Sequence, residues 1–159
     1  MAEEIKLPTG PIGIYLSGGS DSAILFWLIA SQRQHDVVLL TVASDDKKFN
    51  VTPVQEVVKW VKSNTSVTVL EHRVILAPNL ESRKEYRDQA TDSLTKQWNL
   101  SCWVSGKTRN PDEKLLHHEQ RKQDRDRLMP RVIHNHFYRP FHNINKSQLA
   151  LLYEKYELN

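Results

Sequence analysis

The sequence predicts an α/β fold, a doubly wound and mainly parallel sheet sandwiched by helices, on three observations. Apolar runs alternate with helical patterns along the chain. The run at residues 37–42 is continuous rather than alternating with polar residues, as in a strand buried on both faces of a parallel sheet. The first run passes through a small-residue turn directly into the start of a helix. With 159 residues and 39% hydrophobic content, the chain can bury one sizeable core, so residues 1–159 read as a single domain.

Each element has a local reason. Ile12-Gly13-Ile14-Tyr15-Leu16 is the first strand, and a helix beginning near Asp21 or Ser22 continues through Ala23-Ile24-Leu25-Phe26-Trp27-Leu28-Ile29. Val37-Val38-Leu39-Leu40-Thr41-Val42 is a buried second strand. A second helix starts at Thr52-Pro53-Val54-Gln55, with Thr52 as cap, Pro53 in the first helical position and Gln55 completing a capping box, and it runs to Ser63 or Asn64. Val67-Thr68-Val69-Leu70 opens a third strand extending toward Ile75. Residues 80–98 make a long helix with Tyr86, Ala90, Leu94 and Trp98 along one face. Ser101-Cys102-Trp103-Val104-Ser105 is a short fourth strand, and Asn145 caps a final helix reaching Tyr156 or Leu158. Strands and helices in this order imply right-handed crossovers.

Composition removes several function classes. No apolar stretch reaches the roughly 18 residues needed to cross a bilayer, and Met1-Ala2-Glu3-Glu4 opens acidic. The expectation is a soluble, cytoplasmic protein without a membrane partner. Cys102 is the one cysteine, which excludes an internal disulfide framework and a multi-cysteine zinc site. A net charge of +3 is compatible with polyanions such as ATP or RNA without demanding a nucleic-acid partner. His117 and His118 are adjacent and cannot both face one ligand on a helix, whereas His134 and His136 share a face if residues 131–138 form a strand. Two imidazoles are too few for a closed zinc site, so no zinc is expected and the pair reads as partly exposed or substrate-contacting.

Ser17-Gly18-Gly19-Ser20-Asp21-Ser22 carries the strongest functional signal. Two glycines admit close backbone approach, and the helix that follows offers unpaired N–H groups and the positive end of its dipole to an anion. The hydroxyls of Ser17, Ser20 and Ser22 add donors. The spacing matches neither GxxxxGK[ST] nor GxGxxG. It resembles the SGGxDS signature of the PP-loop ATP pyrophosphatases. That resemblance implies a Rossmann-like domain that cleaves ATP between the α and β phosphates and transfers AMP to an acceptor.

Ligands in such folds sit beyond the carboxyl ends of the strands, at the switch point. The resemblance implies that the adenine lies near Val42, Ala43 and Ser44, and that Gly106 packs beside the nucleotide; a plain strand-ending turn is the alternative for Gly106. Magnesium would be held by Asp21, which the resemblance covers. Asp45 or Asp46 is a second candidate that reads more simply as a solvated turn. Positive charge for the departing pyrophosphate would come from Lys107, Arg109, Arg139 and Lys146, the last two in a stretch resembling a late lysine motif of the family. Ser105 to Asp112 with the 139–146 stretch looks most like the 7-cyano-7-deazaguanine synthase type, without its zinc cysteines. Residues 109–131 hold seven Lys or Arg and five Asp or Glu, and 107–131 reads as a solvated excursion or a lid.

The expected activity is ATP-dependent adenylation of a small-molecule or nucleobase acceptor. The alternative is a non-catalytic ATP or AMP-binding module. The final helix can cover the site or a neighbouring subunit, so a homo-oligomer is compatible with the sequence.

Overall fold

The computed structural model describes residues 7–17, 19–44, 51–106, 137–141 and 146–156, with the side chains of Ser20 and of residues 146–149 outside that description. Its strands are β1 (Ile12–Tyr15), β2 (Val37–Ser44), β3 (Val69–Ala77), β4 (Cys102–Val104) and β5 (Phe137–Tyr138). Its helices are α1 (Ser20–Gln32), α2 (Thr52–Asn64), α3 (Arg83–Trp98) and α4 (Lys146–Lys155).

The strands form one parallel sheet in the order β3-β2-β1-β4-β5. From β1 the chain steps outward to β2 and β3, then crosses back to build β4 and β5 on the other side. The direction of winding therefore reverses between β1 and β4, which is where an open α/β sheet leaves a crevice at its carboxyl edge. Ile12 lies opposite both Val37 and Cys102, so β1 is central and paired on each side.

Alternation along the strands divides the core in two. Ile12, Ile14, Leu16, Val37, Leu39, Cys102 and Val104 face α1 and α2, and meet Ile24, Phe26, Ile29, Val54 and Val61, with Leu152 and Tyr153 of α4 and Tyr156 just after it packed alongside. Val38, Leu40 and Trp103 face the other way, onto Ala90 and Leu94 of α3. Gly13 is a glycine because Trp103 lies against it: a Cβ there would come within 2.5 Å of the indole ring.

Several local expectations shift. β2 runs through Ser44, two residues further than the apolar run suggested. Thr52 is not the cap of α2: it is already helical, Val51 holds the cap position, and no side chain caps the helix there. Pro53 fits, because an early position in a helix needs no amide donor. α3 begins at Arg83 rather than residue 80, since residues 80–82 form a turn in which the Ser82 amide donates to Asn79 Oδ1 at 2.9 Å. Tyr86 consequently sits at the exposed start of α3, with 36% exposure, while Ala90 and Leu94 are buried. Asn145, His134 and His136 lie outside the described residues.

Candidate functional site

The loop of residues 17–22 leaves β1 and feeds α1 at the carboxyl edge of the sheet. Gly19 occupies the N-cap with φ −83° and ψ 168°, an extended conformation open to any residue. A Cβ on Gly19 would touch nothing closer than Ser17 Oγ, at 3.4 Å. Neither backbone strain nor internal crowding therefore requires glycine at this position. The first intrahelical bond runs from the Ala23 amide to Gly19 O at 3.2 Å, so the first turn of α1 carries its amides toward the loop.

Ser22 stitches the loop together. The residue is 5% exposed, and its hydroxyl accepts from the Ser17 amide at 3.1 Å, lies 3.1 Å from Ser17 Oγ and donates to Gly19 O at 3.3 Å. Ser17 Oγ accepts from the Gly19 amide at 3.3 Å and is exposed. The two hydroxyls differ in position: that of Ser22 is turned into the loop, and Ser17 stands at the surface.

Gly106 closes on the same place from β4. A Cβ here would meet the Asp21 carbonyl oxygen at 2.7 Å and the Ser22 amide nitrogen at 3.0 Å. Backbone cannot yield as a flexible side chain can, so only glycine lets the end of β4 pass the start of α1. The turn after β4 is thus fitted to the loop. Tyr153 of α4 approaches from outside, bonded to the Ile24 backbone and near Asp21; burial first, and the Asp21 charge second, push its hydroxyl pKa up.

The site residues named from sequence fall in four groups. Ser17, Gly19, Asp21, Ser22 and Gly106 come together at the crevice. Val42, Ala43 and Ser44 end β2 at the same edge, with Ala43 and Ser44 buried and Val42 partly exposed. Arg139 follows β5 at the carboxyl edge, its guanidinium 5.7 Å from the Phe137 ring centre. Gly18, Asp45, Asp46, Lys107, Arg109 and residues 107–131 lie outside the described residues, as do the side chains of Ser20 and Lys146.

Sequence reasoning missed Arg83, whose Nη2 donates to Val42 O at 3.2 Å and so holds a cation at the end of β2. It also missed Thr41, whose signal was present: one hydroxyl inside the otherwise apolar run 37–43. A polar cavity of about 300 Å³, lined by Arg33, His35, Asp36 and Thr68 among others, opens at the opposite, amino edge of the sheet and does not touch the loop. Among the described residues, no three His, Cys, Asp or Glu side chains gather as a metal-binding group, and no helix is long and apolar enough to cross a membrane.

A parallel α/β sheet whose winding reverses between β1 and β4, with a Gly/Ser loop feeding a helix at that edge, defines a Rossmann-like α/β domain. No protein-family model and no curated protein sequence matches the chain, but solved structures do. U34-tRNA thiolase NcsA from Methanococcus maripaludis, solved with its [4Fe-4S] cluster, superimposes with a TM-score of 0.66 at 14% identity over 97% of this chain. NH3-dependent NAD synthetase from Campylobacter jejuni, solved with a nitrate ion, gives 0.57 at 15% identity over 94%. The chain spans 59% and 65% of these two proteins. Both are PP-loop ATP pyrophosphatase family members, and the fold of this chain is the fold of that family.

The thiolase's iron–sulfur cluster finds no donor set here. Such clusters are held by cysteine thiolates, and Cys102, the one cysteine of these 159 residues, is buried with its thiol pushed up to about 12.

Proposed function

We propose that the chain is a PP-loop ATP pyrophosphatase domain that cleaves ATP to AMP and pyrophosphate and adenylates an acceptor. Gly19 is the observation that carries this reading. It is a glycine in an SGGSDS loop that neither its own φ nor the surrounding atoms require, and the role we assign to it is the close approach of a ligand's phosphates. Phosphate oxygens would take the first-turn amides of α1 and the hydroxyls of Ser17 and Ser20, with Gly18 giving the same close approach. Ser22 would keep the loop in shape. The adenine would lie toward Val42, Ala43 and Ser44, beside the Arg83 guanidinium.

Magnesium fits this donor set as the ATP-bound ion, since it is held by one or two carboxylates plus phosphate oxygens and keeps several waters. Asp21 would be its protein ligand. When bound, the ion would neutralise charge on the phosphate oxygens during transfer. Lys107, Arg139 and Lys146 would meet the charge that develops on the leaving pyrophosphate. The acceptor would be a small molecule or a nucleobase, and the resemblance of the 105–112 and 139–146 stretches supports modified-nucleobase metabolism of the deazaguanine kind. Residues 107–131 would cover it, all within one domain, and RNA or a second subunit is compatible with the remaining surface.

The test is calorimetric ATP binding together with product analysis by anion exchange. Wild type should bind ATP and release AMP with pyrophosphate once an acceptor is supplied. Gly19→Val should abolish binding. Asp21→Asn should fold normally and lose most turnover, because an amide is a poorer ligand for a hard cation. ADP and orthophosphate as products, or normal ATP binding by Gly19→Val, would overturn the reading. Binding without turnover by any acceptor would leave a nucleotide-binding module.

A further inference from the structure

We infer that His72 and Thr41 form a hydrogen-bonded relay that fixes the orientation of the peptide from which the phosphate loop begins. Thr41 stands on β2 at 1% exposure. Its Oγ1 lies 2.7 Å from Leu16 O and 2.9 Å from His72 Nε2 of β3. A carbonyl oxygen can only accept, so the Thr41 proton goes to Leu16 O. The hydroxyl oxygen must then accept from the imidazole, and His72 carries its hydrogen on Nε2.

The relay continues through one peptide unit. Leu16 is the residue after β1, and its amide donates to Leu40 O at 2.9 Å. Its carbonyl belongs to the same peptide plane as the Ser17 amide, which donates to Ser22 Oγ, and Ser22 Oγ donates to Gly19 O. The Leu16–Ser17 peptide is thereby gripped from both sides, by Thr41 through its C=O and by Ser22 through its N–H. Hydrogen bonds linked through a polarisable peptide reinforce one another. The chain of bonds runs from an edge strand, across β2, to the tip of the loop.

The cost of this arrangement argues for a role. A buried hydroxyl is unfavourable unless satisfied, and valine, nearly isosteric with threonine, would match the other residues of this run. Thr41 and His72 are positioning residues here. They touch no ligand and act through Leu16 on the loop donors, so that the loop is already in its binding shape before an anion arrives. This rests on the reading of residues 17–22 as the nucleotide loop.

The experiment uses the full chain and two readouts, amide hydrogen exchange of the free protein and calorimetric ATP binding. Thr41→Val should speed exchange of the Ser17 and Gly19 amides by about tenfold, the size of one net hydrogen bond, with β4 amides unchanged. It should weaken ATP binding by about the same factor. Thr41→Ser keeps the hydroxyl, and His72→Gln offers an N–H where Nε2 stood; both should stay within about twofold of wild type. Unchanged loop exchange in Thr41→Val, or acceleration spread evenly over the sheet, would overturn the relay, the second outcome meaning a merely structural threonine. If Thr41→Val does not fold, His72→Leu removes the outer link and is read the same way. Absence of ATP binding by wild type would refute the proposed function, while the exchange comparison would still decide the relay.

Discussion

The two faces of the sheet are held by different physics. The face toward α1 and α2 is held mainly by apolar burial, with Phe26 fully buried in a cluster with Ile12, Ile14, Leu25 and Ile29, and with Trp27, Tyr153 and Tyr156 packed at its margin. The face toward α3 is aromatic and hydrogen-bonded. Tyr15 stacks on Trp103 with ring centres 4.7 Å apart. Its hydroxyl lies 2.8 Å from Thr91 Oγ1, and Trp103 Nε1 donates to Thr95 Oγ1 at 2.8 Å. Thr91 and Thr95 each give their own proton to a carbonyl one turn back, Arg87 O and Thr91 O, so each hydroxyl is left to accept from an aromatic donor of the sheet.

The outer end of that second face is charged. Burial works against the Glu71 carboxylate, but Trp98 Nε1, Arg73 and Gln97 all donate to it and together hold its carboxyl below the usual carboxylate value. The difference teaches what each helix had to bring. Beyond its first turn, α1 brings mainly volume and apolar surface. α3 buries just Ala90 and Leu94, and it is located by side chains whose partners stand on the strands.

Substitutions should separate the two. Phe26→Ala should be the most damaging, costing about 3–5 kcal/mol through lost transfer energy and an unfilled cavity, measured by urea unfolding. A loss under about 1 kcal/mol would mean that the apolar face collapses around the gap.

On the α3 face volume matters less than polarity. Thr95→Val leaves the Trp103 indole N–H, on a side chain only 3% exposed, without its acceptor, at a cost of about 1–3 kcal/mol. Thr95→Ser should recover most of it. Equal stability of Thr95→Val and wild type would reduce this face to the same physics as the other.

The smallest expected effect comes from the polar exception on the apolar face. Burial holds the His72 imidazole below its ordinary 6.5. Between that depressed value and 6.5 the unfolded chain binds the proton and the folded one does not, so stability falls as pH drops from 7 through 6.5 and levels off below the folded pKa. His72→Gln should flatten that part of the profile. An identical acid dependence in the variant would assign the slope to other groups.

Local sequence was enough for the strand–loop–helix unit from Ile12 to Gln32, because its signals are neighbours in the chain: an apolar run, glycines, small hydroxyl residues and a second apolar run. It was also enough for the parallel α/β order, since continuous apolar runs must be buried on both faces wherever they end up. Helix starts were less legible. Thr52 and residue 80 look like beginnings by composition, yet α2 opens without a side-chain cap and Asn79 holds a turn ahead of α3. Side-chain capping is weak, of order 1 kcal/mol, and packing overrides it.

Tertiary structure alone decided what the glycines and the lone hydroxyl are for. Gly13 answers to Trp103, ninety positions away, and Gly106 to the backbone of Asp21 and Ser22. Thr41 reads in sequence as one more β-branched residue of a strand, and its partners belong to β3 and to the end of β1. Sheet order and register bring these groups together, and both are set by long-range pairing that no local pattern encodes. Local sequence was enough to show that a Gly/Ser loop follows a buried strand and feeds a helix; the sheet decided which distant residues brace that loop.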